Sequence, residues 1–197
     1  RIKSHRKPYW DYSANALYFL TINTQNRICN LGKIVNQKMI LSDFGKIIDT
    51  EWYKSFEIRD ELILHEFVIM PNHLHTIVEI SSNDPVEAHG RVPLQDRDRV
   101  PLRMPNDTNL SSIKRNPPIR LPKSISSFIA GFKSAVNTKI DDYIDAHNLN
   151  IPKYNRRNHF FQPNYHDHII RNNLEYQNIS NYIINNPANW DKDTLHQ

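Results

Sequence analysis

Residues 62–80 read LILHEFVIMPNHLHTIVEI, and the reading of this stretch decides the architecture. Two strand-like runs, Leu62–Met70 and His73–Ile80, are parted only by Pro71-Asn72, which predicts a β-hairpin. Side chains alternate along a strand, so His73 and His75 leave one face while Leu74 enters the other. Two imidazoles placed in this way can grip one divalent ion. The pattern is short, however, and two ordinary polar residues on a solvated sheet face fit it equally.

Outward from the hairpin, residues 18–24 (YFLTINT) alternate apolar and polar side chains and predict another strand. A short hairpin follows over residues 33–41. Ser42 or Asp43 can cap a helix whose apolar face is Phe44, Ile47, Ile48 and Trp52. Beyond residue 124, Ile125, Phe128, Ile129, Phe132, Val136, Ile140 and Tyr143 mark one face of a long helix ending near His147. A last helix begins after Asn172 or Asn173, carries Leu174, Ile179, Tyr182 and Ile183, and stops at Pro187 and Trp190. This order predicts an α+β fold, an antiparallel sheet with helices packed on one face.

Between residues 84 and 122 lie seven of the twelve prolines, and RVPL occurs twice, at 91–94 and 99–102. A proline-rich tandem duplication reads as a flexible insertion within a single domain spanning 1–197. A chain of 197 residues buries roughly 70% of the surface its unfolded form exposes, so it needs no disulfide staples. Cys29 is the only cysteine, which excludes a disulfide framework and a cysteine zinc cage and leaves it a structural role. No apolar run approaches the roughly 18 residues of a membrane span, so a cytoplasmic protein without a membrane partner is expected. With four glycines in all, no P-loop or dinucleotide fingerprint is present. Phosphates would have to be handled by side chains or by a metal. The net charge of +4 is mild, but residues 1–36 hold six Lys or Arg against one acid, and residues 153–171 hold four against one. Such local excess suits a polyanionic partner.

The second chemical motif is YIINNP at 182–187. Positions i and i+4 lie one above the other on a helix, so Tyr182 and Asn186 share a face. A hydroxyl nucleophile and an amide oxygen could therefore converge on an ion held by the histidines. Tyr182 as plain amphipathic core and Asn186-Pro187 as a helix end is the simpler alternative.

Taken in order, YFLTINTQNR, EFVIMPNHLHTIVEI, GFKS, FQPNYHDHIIRN and YIINNPANW resemble the HUH-type single-tyrosine transposases, in particular the REP-associated branch of the insertion-sequence-200-like superfamily. The resemblance runs from about Tyr9 to Trp190 and leaves out the proline-rich insertion. It implies a ferredoxin-like domain that cuts and rejoins single-stranded DNA next to imperfect hairpins, in a bacterial, nucleoid-associated setting, as a monomer or homodimer. It implies His73 and His75 as metal ligands, Asn186 as the third, and Tyr182 as the nucleophile. The implied cofactor is Mg²⁺ or Mn²⁺; two imidazoles suit Mn²⁺ well. Tyr176, six residues before Tyr182, is turned about 240° away on the same helix and is expected to face elsewhere.

Arg27, Lys133, Arg156, Arg157 and Arg171 are candidate phosphate contacts. Lys133 fits a solvent-facing helix lysine as readily. Tyr9, Trp10 and Tyr12 could stack on bases, although packing is the commoner fate of aromatic rings. Asp167-His168 is expected to orient the site or lock the fold. Two other functions compete with the transposase: a metal-dependent phosphodiesterase that uses water in place of Tyr182, and a domesticated, non-catalytic binder of DNA hairpins.

Overall fold

A computed structural model describes residues 10–81 and 122–196. Among the described residues, six strands and three longer helices follow one another as β1 (Ala16–Asn23), β2 (Gly32–Val35), β3 (Lys38–Leu41), α1 (Asp43–Glu57), β4 (Leu62–Met70), β5 (His73–Ile80), α2 (Ile125–Ala146), β6 (His166–Ile170) and α3 (Asn173–Asn185). A 3-10 segment, Pro187–Lys192, continues from α3. The expected flexible insertion at 84–122 falls, Pro122 apart, outside the described residues, as does Tyr9.

Strands β4, β5, β1 and β6 form one antiparallel sheet in that order, and β2–β3 form a separate hairpin. With β2–β3 set aside, the chain runs β-α-β-β-α-β with the two outer connections crossing over, which is the ferredoxin-like topology. The hairpin read from Pro71-Asn72 forms with both strand boundaries as expected.

Alternation sorts the sheet into two faces. Tyr18, Leu20 and Ile22 of β1 and Leu74, Val78 and Ile80 of β5 are buried in one large cluster with Ile48 and Trp52 of α1 and Phe128, Phe132, Val136 and Ile140 of α2. Trp52 is its centre. Its ring stacks on Phe67 at 4.9 Å and meets Phe132 edge-on at 4.9 Å and Phe128 at 5.3 Å. The opposite face carries a small apolar set, Ile77, Ile170 and Ile183, flanked by Leu17, Phe19, Val68, Tyr176 and Ile179. The two long helices thus share one face, as expected, while α3 lies on the other.

Local chemistry explains the helix ends. Ser42 caps α1, accepting from Gly45 N at 3.0 Å and donating to Asn30 O at 2.7 Å. Ser124 and Ser127 form a capping box at the start of α2. Near the end of α2 the buried position falls to Ile144, and Tyr143 instead donates to Asp43 at 2.8 Å. Among the described residues, no helix is long and apolar enough to cross a membrane.

Because Trp52 is fully buried among four aromatic rings, Phe56, Phe67, Phe128 and Phe132, Trp52→Ala is expected to destabilise the fold by about 3–5 kcal/mol. Urea unfolding followed by circular dichroism measures this; a loss under about 1 kcal/mol would mean the cluster is not the core.

Candidate active site

His73 and His75 sit on the face opposite the main core, paired across the ladder with Asn23 and Thr21 of β1. Both are buried, and their rings lie 4.4 Å apart. Each ring has its Nδ1 engaged. His73 Nδ1 meets Asn72 Oδ1 at 2.7 Å, and His75 Nδ1 meets Thr21 Oγ1 at 2.8 Å. Asn72 Oδ1 can only accept, so His73 carries its proton on Nδ1 and presents the Nε2 lone pair. A Thr21 hydroxyl accepting from His75 Nδ1 gives the second ring the same tautomer. Asn72 is itself held, because its Nδ2 donates to Leu195 O at 2.8 Å.

Burial pushes the His73 imidazolium down to about 4, with Asp193 opposing and Arg27 assisting. Burial also holds His75 well below its usual range, helped by His73 and His166. Both rings are therefore neutral near neutral pH, which is the state that ligates a cation.

Helix α3 brings the remaining groups. Its first turn is tied down by Glu175, which accepts from Arg171 N at 2.7 Å and meets His168 Nε2 at 2.6 Å. Asn172 is its N-cap. Further along, Ser180 donates to Glu66 on β4 at 2.7 Å. This docking sets the Tyr182 hydroxyl 3.1 Å from His75 Nε2, with Tyr182 still 45% exposed. Burial raises the Tyr182 phenol above its usual value, and the Asp193 charge raises it further, while the neighbouring Asn186 amide pulls the other way.

Asn186 ends α3, buried, with Nδ2 donating to Asp193 Oδ2 at 3.1 Å. Asp193 Oδ2 also lies 3.8 Å from His73 Nε2. Ligand atoms of His73, His75 and Asp193 all lie within 4.8 Å of one another. Two buried acceptors in this group, His73 Nε2 and Asn186 Oδ1, make no hydrogen bond of good geometry. Unpaired lone pairs converging beside a carboxylate fit a divalent cation, and two imidazoles with oxygen donors suit Mn²⁺ or Mg²⁺.

His73, His75, Tyr182 and Asn186 therefore meet, although they come from two elements far apart in the chain. Asp193 was missed in the sequence; its signal is an acid seven residues after Asn186, in a segment with no periodicity of its own. Arg27 lies near enough for its charge to act on His73. The other basic candidates are dispersed. Lys133 Nζ donates to Gln162 O at 2.7 Å and lies within 3.5 Å of Pro163 O and Asn164 O, so its ammonium clamps a loop. Arg156 and Arg157 are exposed in an irregular stretch. Arg171 lines a groove with Leu17, His65 and Tyr176. Tyr176 meets His65 at 3.3 Å, away from the histidine pair. Tyr12 donates to buried Asp167 at 2.6 Å, so that acid locks β6 to the N-terminal segment, and Trp10 donates to Tyr18 at 3.2 Å.

No family model matches the chain. A Haemophilus influenzae protein of uncharacterised function is 31% identical over 198 residues, covering 98% of this chain and 92% of that protein. Among solved structures, a REP-associated tyrosine transposase bound to a REP hairpin has the same fold, with a TM-score of 0.52 and 18% identity over 96% of this chain and 74% of that one. A Deinococcus radiodurans protein described as a transposase aligns with a TM-score of 0.39 and 15% identity over 93% and 97% of the two chains, a likeness too distant to bear weight.

If the cluster takes a divalent ion, adding Mn²⁺ at about a hundred times its dissociation constant should stabilise the protein by about 2.7 kcal/mol. Thermal melts with and without Mn²⁺ measure this. The shift should vanish in Asp193→Asn, a nearly isosteric change, and in His73→Ala. An equal shift in all three proteins would place the ion elsewhere.

Proposed function

We propose that this chain, which belongs to one family with the Haemophilus influenzae protein and has the fold of a REP-associated tyrosine transposase, is a metal-dependent enzyme that cuts and rejoins single-stranded DNA through a 5′-phosphotyrosine. The observation that carries the reading is the Tyr182 hydroxyl 3.1 Å from His75 Nε2, over a buried His73–His75–Asp193 group. The geometry puts a hydroxyl within reach of the histidine group while leaving it open to a substrate.

Bound by His73, His75 and Asp193, with the Asn186 amide oxygen beside them, a divalent cation would neutralise the charge that develops on the phosphoryl oxygens. His75 Nε2 has one lone pair, so its hydrogen bond to Tyr182 and ligation of a cation exclude one another. With His75 Nε2 so occupied, Tyr182 would be free to turn its oxygen toward a scissile phosphate. The Tyr182 oxygen forms a bond to phosphorus, the bond from phosphorus to the 3′ oxygen breaks, and the phenol proton is lost to water at the open mouth. The departing 3′ oxygen gains a proton, leaving a free 3′-hydroxyl and a phosphate joined to Tyr182. The phosphotyrosine keeps the energy of the cut bond, so attack by a 3′-hydroxyl restores a strand without ATP. Asn72 holds His73 in the ligating tautomer, and Thr21, by accepting from His75 Nδ1, would do the same for the second ring.

The relative bound to a REP hairpin, together with the locally basic segments of this chain, supports hairpin-forming single strands as the substrate. A single domain with the proline-rich stretch as an insertion remains part of the same proposal.

Incubation with single-stranded hairpin DNA and Mn²⁺ should give a covalent adduct whose mass maps to Tyr182. Tyr182→Phe should abolish the adduct and cleavage and leave hairpin binding nearly unchanged, since phosphate and base contacts dominate binding. Cleavage that persists in Tyr182→Phe would establish hydrolysis by water instead, and hairpin binding without any cleavage by the unsubstituted protein would establish a non-catalytic binder.

A further inference from the structure

Two stretches of the chain carry basic residues and no acid. Residues 12–42 hold Arg27, Lys33 and Lys38 without an Asp or Glu, and residues 146–166 hold Lys153, Arg156 and Arg157 without one. They are distant in sequence, yet the fold joins them. Thr24 forms an antiparallel bridge with Phe161, Gln25 N donates to Phe160 O at 2.8 Å, and Gln162 N donates to Asn23 O at 2.9 Å. The turn that bears Arg27 is thus tied to the loop that bears Arg156 and Arg157. The same turn meets the histidine hairpin, where Thr24 N donates to Asn72 O at 2.9 Å and Asn72 in turn orients His73.

Both pieces are held in shape. Asn26 and Arg27 each have a φ of 54°, a left-handed backbone that residues with a side chain adopt where their surroundings hold them in it. In the loop, Asn155 N donates to Asn158 O at 2.7 Å, and Asn155 Oδ1 accepts from Arg157 N at 2.8 Å. Tyr154 anchors it, with its N donating to Asp141 Oδ1 at 2.9 Å and its ring meeting Phe160 edge-on at 4.9 Å.

The charges on this frame are not neutralised. Lys153 is paired with Asp145, but the guanidinium groups of Arg27, Arg156 and Arg157 have no ion-pair or hydrogen-bond partner among the described residues. Arg156 and Arg157 are exposed, and Arg27 is partly so. Cations clustered without acids attract a polyanion. Stacking rings are missing beside them: residues 24–42 contain no Phe, Tyr or Trp, and Tyr154 packs on Phe160. Unpaired strands are held by cations together with stacking aromatics, whereas a duplex turns its bases inward and offers a dense phosphate backbone to cations alone.

We infer that the Arg27 turn and the Arg156-Arg157 loop form one cationic face that grips the phosphate backbone of a base-paired DNA stem next to the histidine cluster. The inference rests on the DNA-hairpin reading but not on cleavage or on Tyr182.

Fluorescence anisotropy on the full chain, without added metal, tests it with a labelled DNA hairpin and a dT oligonucleotide of equal length, at salt concentrations from about 50 to about 200 mM. For the hairpin, Arg156→Gln combined with Arg157→Gln should flatten the dependence of log affinity on log salt by about two units, and Arg27→Gln by about one. Affinity for dT in the double variant should stay within about twofold of the unsubstituted protein. Lys139→Gln removes a charge from the groove between α1 and α2 and should leave the slope unchanged. Thermal melts check each variant; should Arg27→Gln melt early, the loop double variant decides. A hairpin slope unchanged in the double variant, an equal flattening in Lys139→Gln, or an equal loss of dT binding overturns the inference alone. No binding of either DNA by the unsubstituted protein overturns the DNA-hairpin reading and this inference with it.

Discussion

The pairing of β5 with β1 is the constraint on which the molecule depends. In this register Leu74, Val78 and Ile80 enter the aromatic core with Leu20 and Ile22, and His73 and His75 emerge on the far side against Asn23 and Thr21. A slip of one residue would send the histidines into hydrocarbon and the leucine into the site. Burial of Trp52, Phe128 and Phe132 against the sheet therefore does more than stabilise the fold. It enforces the face on which both imidazoles emerge, because a one-residue slip would empty the core of Leu74, Val78 and Ile80.

The second face works by different physics. Its apolar set is small, so α3 is not held by hydrophobic area alone. Directional bonds locate it: Glu175 to His168 and Arg171 at one end, Ser180 to Glu66 in the middle, and the Asn186–Asp193 contact at the other end. Hydrogen bonds to charged groups set orientation more sharply than apolar contact does, and they fix where α3 holds the Tyr182 hydroxyl. The phenol is nevertheless disfavoured as an anion here, by burial and by Asp193. Positive charge brought to the cluster would offset the Asp193 charge, so the phenol's acidity depends on the same electrostatic site that could hold a cation.

Asn72 connects these halves. It occupies the tight turn of the hairpin, orients His73 through Oδ1 and holds the chain at Leu195 through Nδ2. Asp193 is fixed within that same segment, where its Oδ1 accepts from Leu195 N at 2.7 Å. Trp190 packs 6.0 Å from His73 and 4.6 Å from His196, so the residues after α3 form a wall of the site.

Much of this was legible in the chain alone, for a local reason. Strand alternation at His73-Leu74-His75, the Pro71-Asn72 turn, the Ser42 cap and the four-residue step from Tyr182 to Asn186 are all read from neighbours within a few positions. Period and capping are local properties of the backbone, so these readings carried over into the structure. The tertiary structure decided what depends on distant partners. Only the folded sheet shows that α3 crosses the face opposite the two long helices, that Lys133 is engaged by carbonyls some thirty residues away, and that Asp167 is a buried lock for Tyr12. Asp193 lies in a segment without helical or strand period, and nothing nearby in sequence marks it as different from Asp191. It becomes a ligand candidate because a hairpin 120 residues earlier places His73 within 3.8 Å of it, and proximity of that kind is created by packing rather than by pattern.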